Sequence, residues 1–175
     1  PSPSAVVPTC SNASGADSPL RGSTRLSFTN SVTTTTFKAY RAGTVLIKAT
    51  SGSVTTSDEQ ALNLIVRHNT PDHMKFHAAL PTPIVAGTTF NFDTTLDVVD
   101  VYDNICDGAD GATAYTASNR TITYTLSGTA NRPENGVDTY TTLVSFTNGQ
   151  STTALTATLY RAQTTTITAS MAALT

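Results

Sequence analysis

Phe90-Asn91-Phe92-Asp93-Thr94-Thr95-Leu96-Asp97-Val98 decides the fold class. Phe90, Phe92, Thr94, Leu96 and Val98 fall on one side of a two-residue period. Asn91, Asp93, Thr95 and Asp97 fall on the other. Side chains of an extended chain alternate between two faces, so this pattern predicts one long strand with one wet side. The same period recurs at Ile122, Tyr124 and Leu126, at Leu155, Ala157 and Leu159, at Val45, Ile47 and Ala49, and at Leu62, Leu64 and Val66. Ser57-Asp58-Glu59-Gln60 has the form of a helix-capping box. The residues after it alternate at period two and include Ile65 and Val66, so a turn followed by a strand is expected there.

Composition agrees with an all-β chain. Threonine is the commonest residue, and runs such as Thr33–Thr36 and Thr164–Thr166 stand where most proteins carry Lys and Glu. A β-branched hydroxyl side chain suits the solvent face of a strand and disfavours helix. Charged residues make up 13% of the 175 residues and the net charge is −2. Phosphate binding needs clustered Lys and Arg, so nucleic acid is not an expected partner. No apolar run approaches a membrane span; Leu62–Val66 is strand-sized. The first residue is Pro1, read as a processing site or segment boundary, and no signal peptide is recognisable.

An internal repeat sets the organisation. Leu26-Ser27-Phe28-Thr29-Asn30 returns as Val144-Ser145-Phe146-Thr147-Asn148, and Tyr40-Arg41-Ala42-Gly43-Thr44 returns as Tyr160-Arg161-Ala162-Gln163-Thr164. Val45, Ile47 and Ala49 then match Thr165, Ile167 and Ala169, at an offset of about 120 residues, within the range of a sandwich module of ~100 residues. The expectation is an all-β chain of immunoglobulin-like β-sandwich modules in tandem, about one and a half repeats. Residues 1–68 are read as the C-terminal part of one module. They would hold late strands near 25–29, 33–39, 44–50 and 60–67. Residues 72–175 are read as a second module that has early strands near 75–80, 88–99 and 121–128 but lacks a counterpart of Leu62–Val66. The polar junction His68-Asn69-Thr70-Pro71-Asp72 is read as a linker. Missing strands would come from continuation of the chain into neighbouring repeats or from self-association.

Three stretches in this order resemble the bacterial immunoglobulin-like tandem repeats of surface proteins, of the surface-layer, large-adhesin and invasin type. They are the opening Ala86-Gly87-Thr88-Thr89-Phe90, the turn Val99-Asp100-Val101-Tyr102-Asp103-Asn104, and Phe146-Thr147-Asn148-Gly149 with its Tyr-Arg-Ala sequel. Asp103 stands where that family commonly has Gly, and Gln163 replaces Gly43 in the second copy. The resemblance implies an extracellular, cell-surface protein with structural, spacer or adhesive work and no shared active site.

The densest polar group is Asp97, Asp100, Asp103, Asn104, Asp107 and Asp110. Several oxygen ligands in one loop suit a hard cation, so this is a candidate calcium site. Ile105 and Ala109 break any EF-hand spacing, and a solvated loop of turn formers is the alternative. His68, His73 and His77 are read as surface histidines near the junction, with a transition metal as the other reading. Cys10 and Cys106 permit one disulfide, within the chain or between subunits, and both are expected to be reachable. Asn12 and Asn119 head candidate glycosylation triplets. No nucleophile elbow or phosphate loop occurs, and the histidines sit away from any oriented serine pattern, so no catalytic set is expected. Two functions follow. One is a structural repeat of a surface layer or filament. The other is an adhesin or carbohydrate-binding module, which the absence of Trp disfavours.

Overall fold

Among the described residues the period-two stretches become strands, and the one helical element is a 3-10 turn. The computed structural model describes residues 6–20, 24–77, 82–91, 96–127, 139–152, 156–172 and 174. It divides into a first unit, Ser2–Arg67, and a second unit, His68–Thr175.

In the first unit β1 (Thr9–Ser11) is paired by β2 (Asp17–Pro19) and β3 (Phe37–Lys38). A second sheet pairs β4 (Gly43–Ile47) with β7 (Leu62–Val66), and β5 (Thr50–Ser51) with β6 (Val54–Thr55) forms a hairpin between them. The capping-box sequence becomes the 3-10 turn Asp58–Gln60, in which the Ser57 N–H donates to the Gln60 side chain at 3.3 Å. The strand expected near 25–29 is absent; only the bridge Thr29↔Val32 forms there.

Among the described residues the second unit has a six-stranded sheet and a two-stranded one. Its strands are β8 (His73–Phe76), β9 (Thr89–Asn91), β10 (Leu96–Val99), β11 (Ala117–Leu126), β12 (Thr139–Thr147), β13 (Gln150–Ser151), β14 (Thr156–Thr158) and β15 (Ile167–Met171). The larger sheet runs β15-β11-β12-β13-β10-β8, and β14 pairs with β9. Leu96 and Val98, Ile122 and Tyr124, and Val144 and Phe146 lie two residues apart on their strands and are buried with Met171 in one cluster. Phe90 of β9 and Ala157 of β14 pack against that cluster from the smaller sheet. Two sheets closing over one apolar layer make this unit a β-sandwich. Tyr115 meets Phe146 edge-on, with ring centres 5.7 Å apart.

Two expectations change. The single strand from Phe90 to Val98 is two strands in different sheets, with residues 92–95 outside the described set. Nor does β10 have a wet side, since Leu96, Asp97, Val98 and Val99 are all buried. The first unit also holds more than late strands. β1 pairs with β3 in the first unit (Cys10↔Phe37), and β9 pairs with β14 in the second (Phe90↔Ala157), while Phe37 and Ala157 are counterparts in the repeat.

Two pairs of positions that correspond in the sequence repeat share a backbone feature. Asn30 and Ser31 have φ of 51° and 64°, and Asn148 and Gly149 have φ of 50° and 74°. Positive φ at both central residues makes each a two-residue hairpin turn whose twist matches its flanking strands. Thr29 and Val32 exchange hydrogen bonds of 2.9 and 3.0 Å across the first, and Thr147 pairs with Gln150 across the second. Further on, Ser51↔Val54 in the first copy is matched by Met171↔Leu174 in the second.

Candidate functional site

The acidic loop lies after β10, and its shape follows from the hydrogen-bonding needs of its own backbone. Asp100 is buried, and its carboxylate accepts from the backbone N–H of Tyr102 and Asn104 at 2.9 Å each and of Asn69 at 2.8 Å. The Asn104 amide donates to both oxygens at 3.2 and 3.0 Å. Burial pushes the Asp100 carboxyl up, but the donors from Asn69, Asn104 and Tyr102 outweigh it and hold the group below its ordinary range. Asp103, at φ 65°, closes the turn by donating its N–H to the Asp100 carbonyl at 2.9 Å.

The remaining carboxylates point to separate tasks. Asp110 accepts from the His68 N–H at 2.5 Å and the Ala112 N–H at 2.8 Å. Burial pushes its carboxyl up; these N–H donors prevail and lower it. Asp107 accepts from the Ala109 N–H at 2.9 Å. Asp97, 2% exposed, bonds His77 Nδ1 at 2.8 Å and accepts from Gln150 Nε2 at 2.9 Å. Asp103 meets His73 Nε2 at 3.1 Å and Lys75 Nζ at 3.3 Å.

The six residues proposed for calcium therefore do not converge as one ligand set. Among the described residues no group of three or more His, Cys, Asp or Glu side chains is placed to hold a metal. What they do together is fasten the start of the second unit. His68 is held by Asp110, Asn69 by Asp100, and the Asp72 N–H by the Val99 carbonyl at 2.8 Å.

The histidines correct the surface reading in part. His68 is buried, with Nδ1 2.8 Å from the Asn69 carbonyl. His73 and Lys75 share the polar face of β8 and His77 directly follows it, each against a carboxylate, while Met74 and Phe76 pack on the core. Sequence reasoning missed β13 altogether. Its Ser151 hydroxyl accepts from the Leu96 N–H at 2.9 Å in the interior, and its Gln150 is what allows Asp97 to be buried.

No bridge joins Cys10 to Cys106 within this chain. Both thiols are free and buried, Cys10 in the first unit and Cys106 in the second. Cys106 was expected in a reachable polar loop, but the loop folds over it and its side chain has no exposure. Burial, reinforced by Asp100, Asp107 and Asp110, pushes its thiol up to about 12. A thiolate is the reactive form, so native Cys106 should alkylate at least ~100-fold more slowly than in denaturant at pH 8. Mass-resolved iodoacetamide labelling checks this; equal rates in both conditions would show an open loop.

The glycosylation candidates differ in setting. The Asn12 side chain is engaged within its own turn, accepting from the Ser14 and Ala16 N–H groups at 3.0 and 3.1 Å. Asn119 is exposed at φ 52° on a bulge of β11.

No helix among the described residues is long and apolar enough to cross a membrane. No family model, no curated protein and no solved structure matches this chain.

Proposed function

We propose that this chain is a structural repeat of an extracellular surface-layer or filament-forming cell-surface protein, built from immunoglobulin-like β-sandwich modules. The recurrence of one hairpin turn at Asn30-Ser31 and Asn148-Gly149 carries the reading, because a shared turn at corresponding positions of the sequence repeat supports reading the two units as related modules. Two further features support it. The acidic and imidazole side chains are spent on holding the chain's own backbone and strands, as at Asp100, Asp110 and Asp97. The surface is rich in Thr and close to neutral, which suits close packing of like modules without self-repulsion.

Cryo-electron tomography of cells that make the protein, with gold-labelled antibody to this segment, tests the proposal. Label on a regular surface lattice or filament is expected. Label confined to the cell interior would overturn it. Selective binding of the isolated segment on a glycan array would favour the adhesin reading instead.

A further inference from the structure

The start of β11 departs from regular pairing. Ala117 stands opposite Phe146 and Arg120 opposite Val144, so Ser118 and Asn119 together lie against the single Ser145 of β12. This is a β-bulge, which bends its strand and re-aims the side chains at that point. Asn119 takes a φ of 52°, a region that Asn enters more readily than most residues. Its backbone N–H donates to the Ser145 hydroxyl at 3.2 Å. The N–H is thus satisfied without help from the Asn119 side chain.

That side chain is left open. Ser118, Asn119, Arg120 and Thr121 are all exposed, and the pairing of β11 with β15 begins only at Ile122. Among the described residues neither the Asn119 amide nor the Thr121 hydroxyl has a hydrogen-bond partner. Asn119-Arg120-Thr121 has the Asn-x-Thr form, with x other than Pro, that accepts an N-linked sugar.

Asn12-Ala13-Ser14 has the same standing in the sequence, and the structure separates the two. Asn12 is half-buried and its side chain is engaged at both ends. Its Oδ1 accepts from the Ser14 and Ala16 N–H groups and from the Ser14 hydroxyl, the last at 2.7 Å. Its Nδ2, the atom that would carry a sugar, donates to the Ser18 hydroxyl at 3.2 Å. Ser18 belongs to β2 and pairs with Cys10 of β1, so a substituent on Nδ2 would crowd that sheet.

We propose that Asn119 carries an N-linked glycan and that Asn12 does not. This rests on the extracellular placement in the reading above, because such sugars are added to secreted chains. The donor is an oligosaccharide linked to a lipid phosphate. Asn119 Nδ2 bonds to the anomeric carbon, the bond from that carbon to the phosphate oxygen breaks, and the lipid phosphate leaves. One Nδ2 proton passes to a base of the transferase. A bulky, hydrated group here keeps other chains off the exposed start of β11, so contacts between modules use other faces.

Glycopeptide mass spectrometry of the protein from its own cells, with electron-transfer fragmentation to locate the sugar, tests this. Sugar on Asn119 and none on Asn12 is expected. The chain secreted from a host that performs N-glycosylation supplies the variants. Asn119→Gln and Thr121→Ala should lose the sugar, Thr121→Ser should keep it, and Asn12→Gln should change nothing. If Gln at positive φ impairs folding, Thr121→Ala decides, since it leaves Asn119 in place. Bare Asn119, sugar on Thr121 instead, or sugar on Asn12 would each overturn the inference. Bare Asn119 on a chain that forms a surface lattice would leave the structural reading standing. A chain confined to the cell interior would overturn that reading, and occupancy in the secreting host would then decide whether Asn119 is the acceptor.

Discussion

Gly149→Ala is expected to destabilise the second unit by about 3–4 kcal/mol, more than a change of one methyl group ordinarily costs. Two separate costs add. Gly149 sits at φ 74°, where an L-residue is strained by roughly 1–2 kcal/mol. A Cβ there would also lie 2.8 Å from the carbonyl carbon and oxygen of Cys106 and 3.0 Å from Ile105 Cγ2. Backbone atoms cannot rotate aside as a long side chain does. Nor is Gly149 free to retreat, because its N–H donates to the Tyr115 carbonyl at 2.9 Å and its carbonyl accepts from the Val98 N–H at 2.7 Å. A shift would loosen the link between the β12–β13 turn and β10. The melting temperature should fall by on the order of 12 °C. Gly87→Ala is the control: φ is 78°, but nothing lies within 4 Å of the new Cβ, so only the conformational cost of about 1 kcal/mol remains. Circular-dichroism melts of the two variants separate the terms. Equal losses would show that the contact with Cys106 carries no weight.

The same turn shows what was legible in the sequence. The Phe-Thr-Asn repeat was legible, but the hairpin that follows it at Asn148-Gly149, two residues that tolerate positive φ, was not read from it. At Asn30-Ser31 the geometry is kept although Ser has a Cβ, so residue preference alone would have missed it. Strand period was legible for a similar reason: inward and outward alternation at Ile122, Tyr124, Val144 and Phe146 is a local property. Sheet membership is not local. Phe90 and Leu96 keep the same phase whether they share a strand or belong to two sheets, so the alternation from Phe90 to Val98 could not reveal the switch. Burial of Asp97 was hidden likewise, because His77 and Gln150 come from 20 and 53 residues away. The run of carboxylates was visible as a cluster. Its use was not, since the donors are backbone N–H groups whose directions exist only once the turn has formed.

Asp100→Ala should cost about 4 kcal/mol, because the carboxylate is the common acceptor for three backbone N–H groups and an amide. Removing it strands the Asn69, Tyr102 and Asn104 donors in a loop that closes over it, with Asp100 itself 1% exposed. Each lost partner costs roughly 1–3 kcal/mol, reduced where water reaches the site. Asp100→Asn keeps one acceptor oxygen and turns an N–H toward another donor, so about half the loss is expected. The pH dependence follows from the direction of the shift. The folded carboxyl is held below its unfolded value, so its stabilisation is complete above that value, near pH 4, and is lost as pH falls through the folded one. Urea unfolding from pH 7 to pH 2 should therefore show parent and Asp100→Asn a constant distance apart above pH 5, converging in acid. Curves that stay parallel to pH 2 would mean that the hydrogen bonds to Asp100 do not favour its ionised form. A loss under 1 kcal/mol for Asp100→Ala at pH 7 would mean that water replaces the carboxylate, and that the start of the second unit is fastened mainly by Asp110 on His68 and Val99 on Asp72.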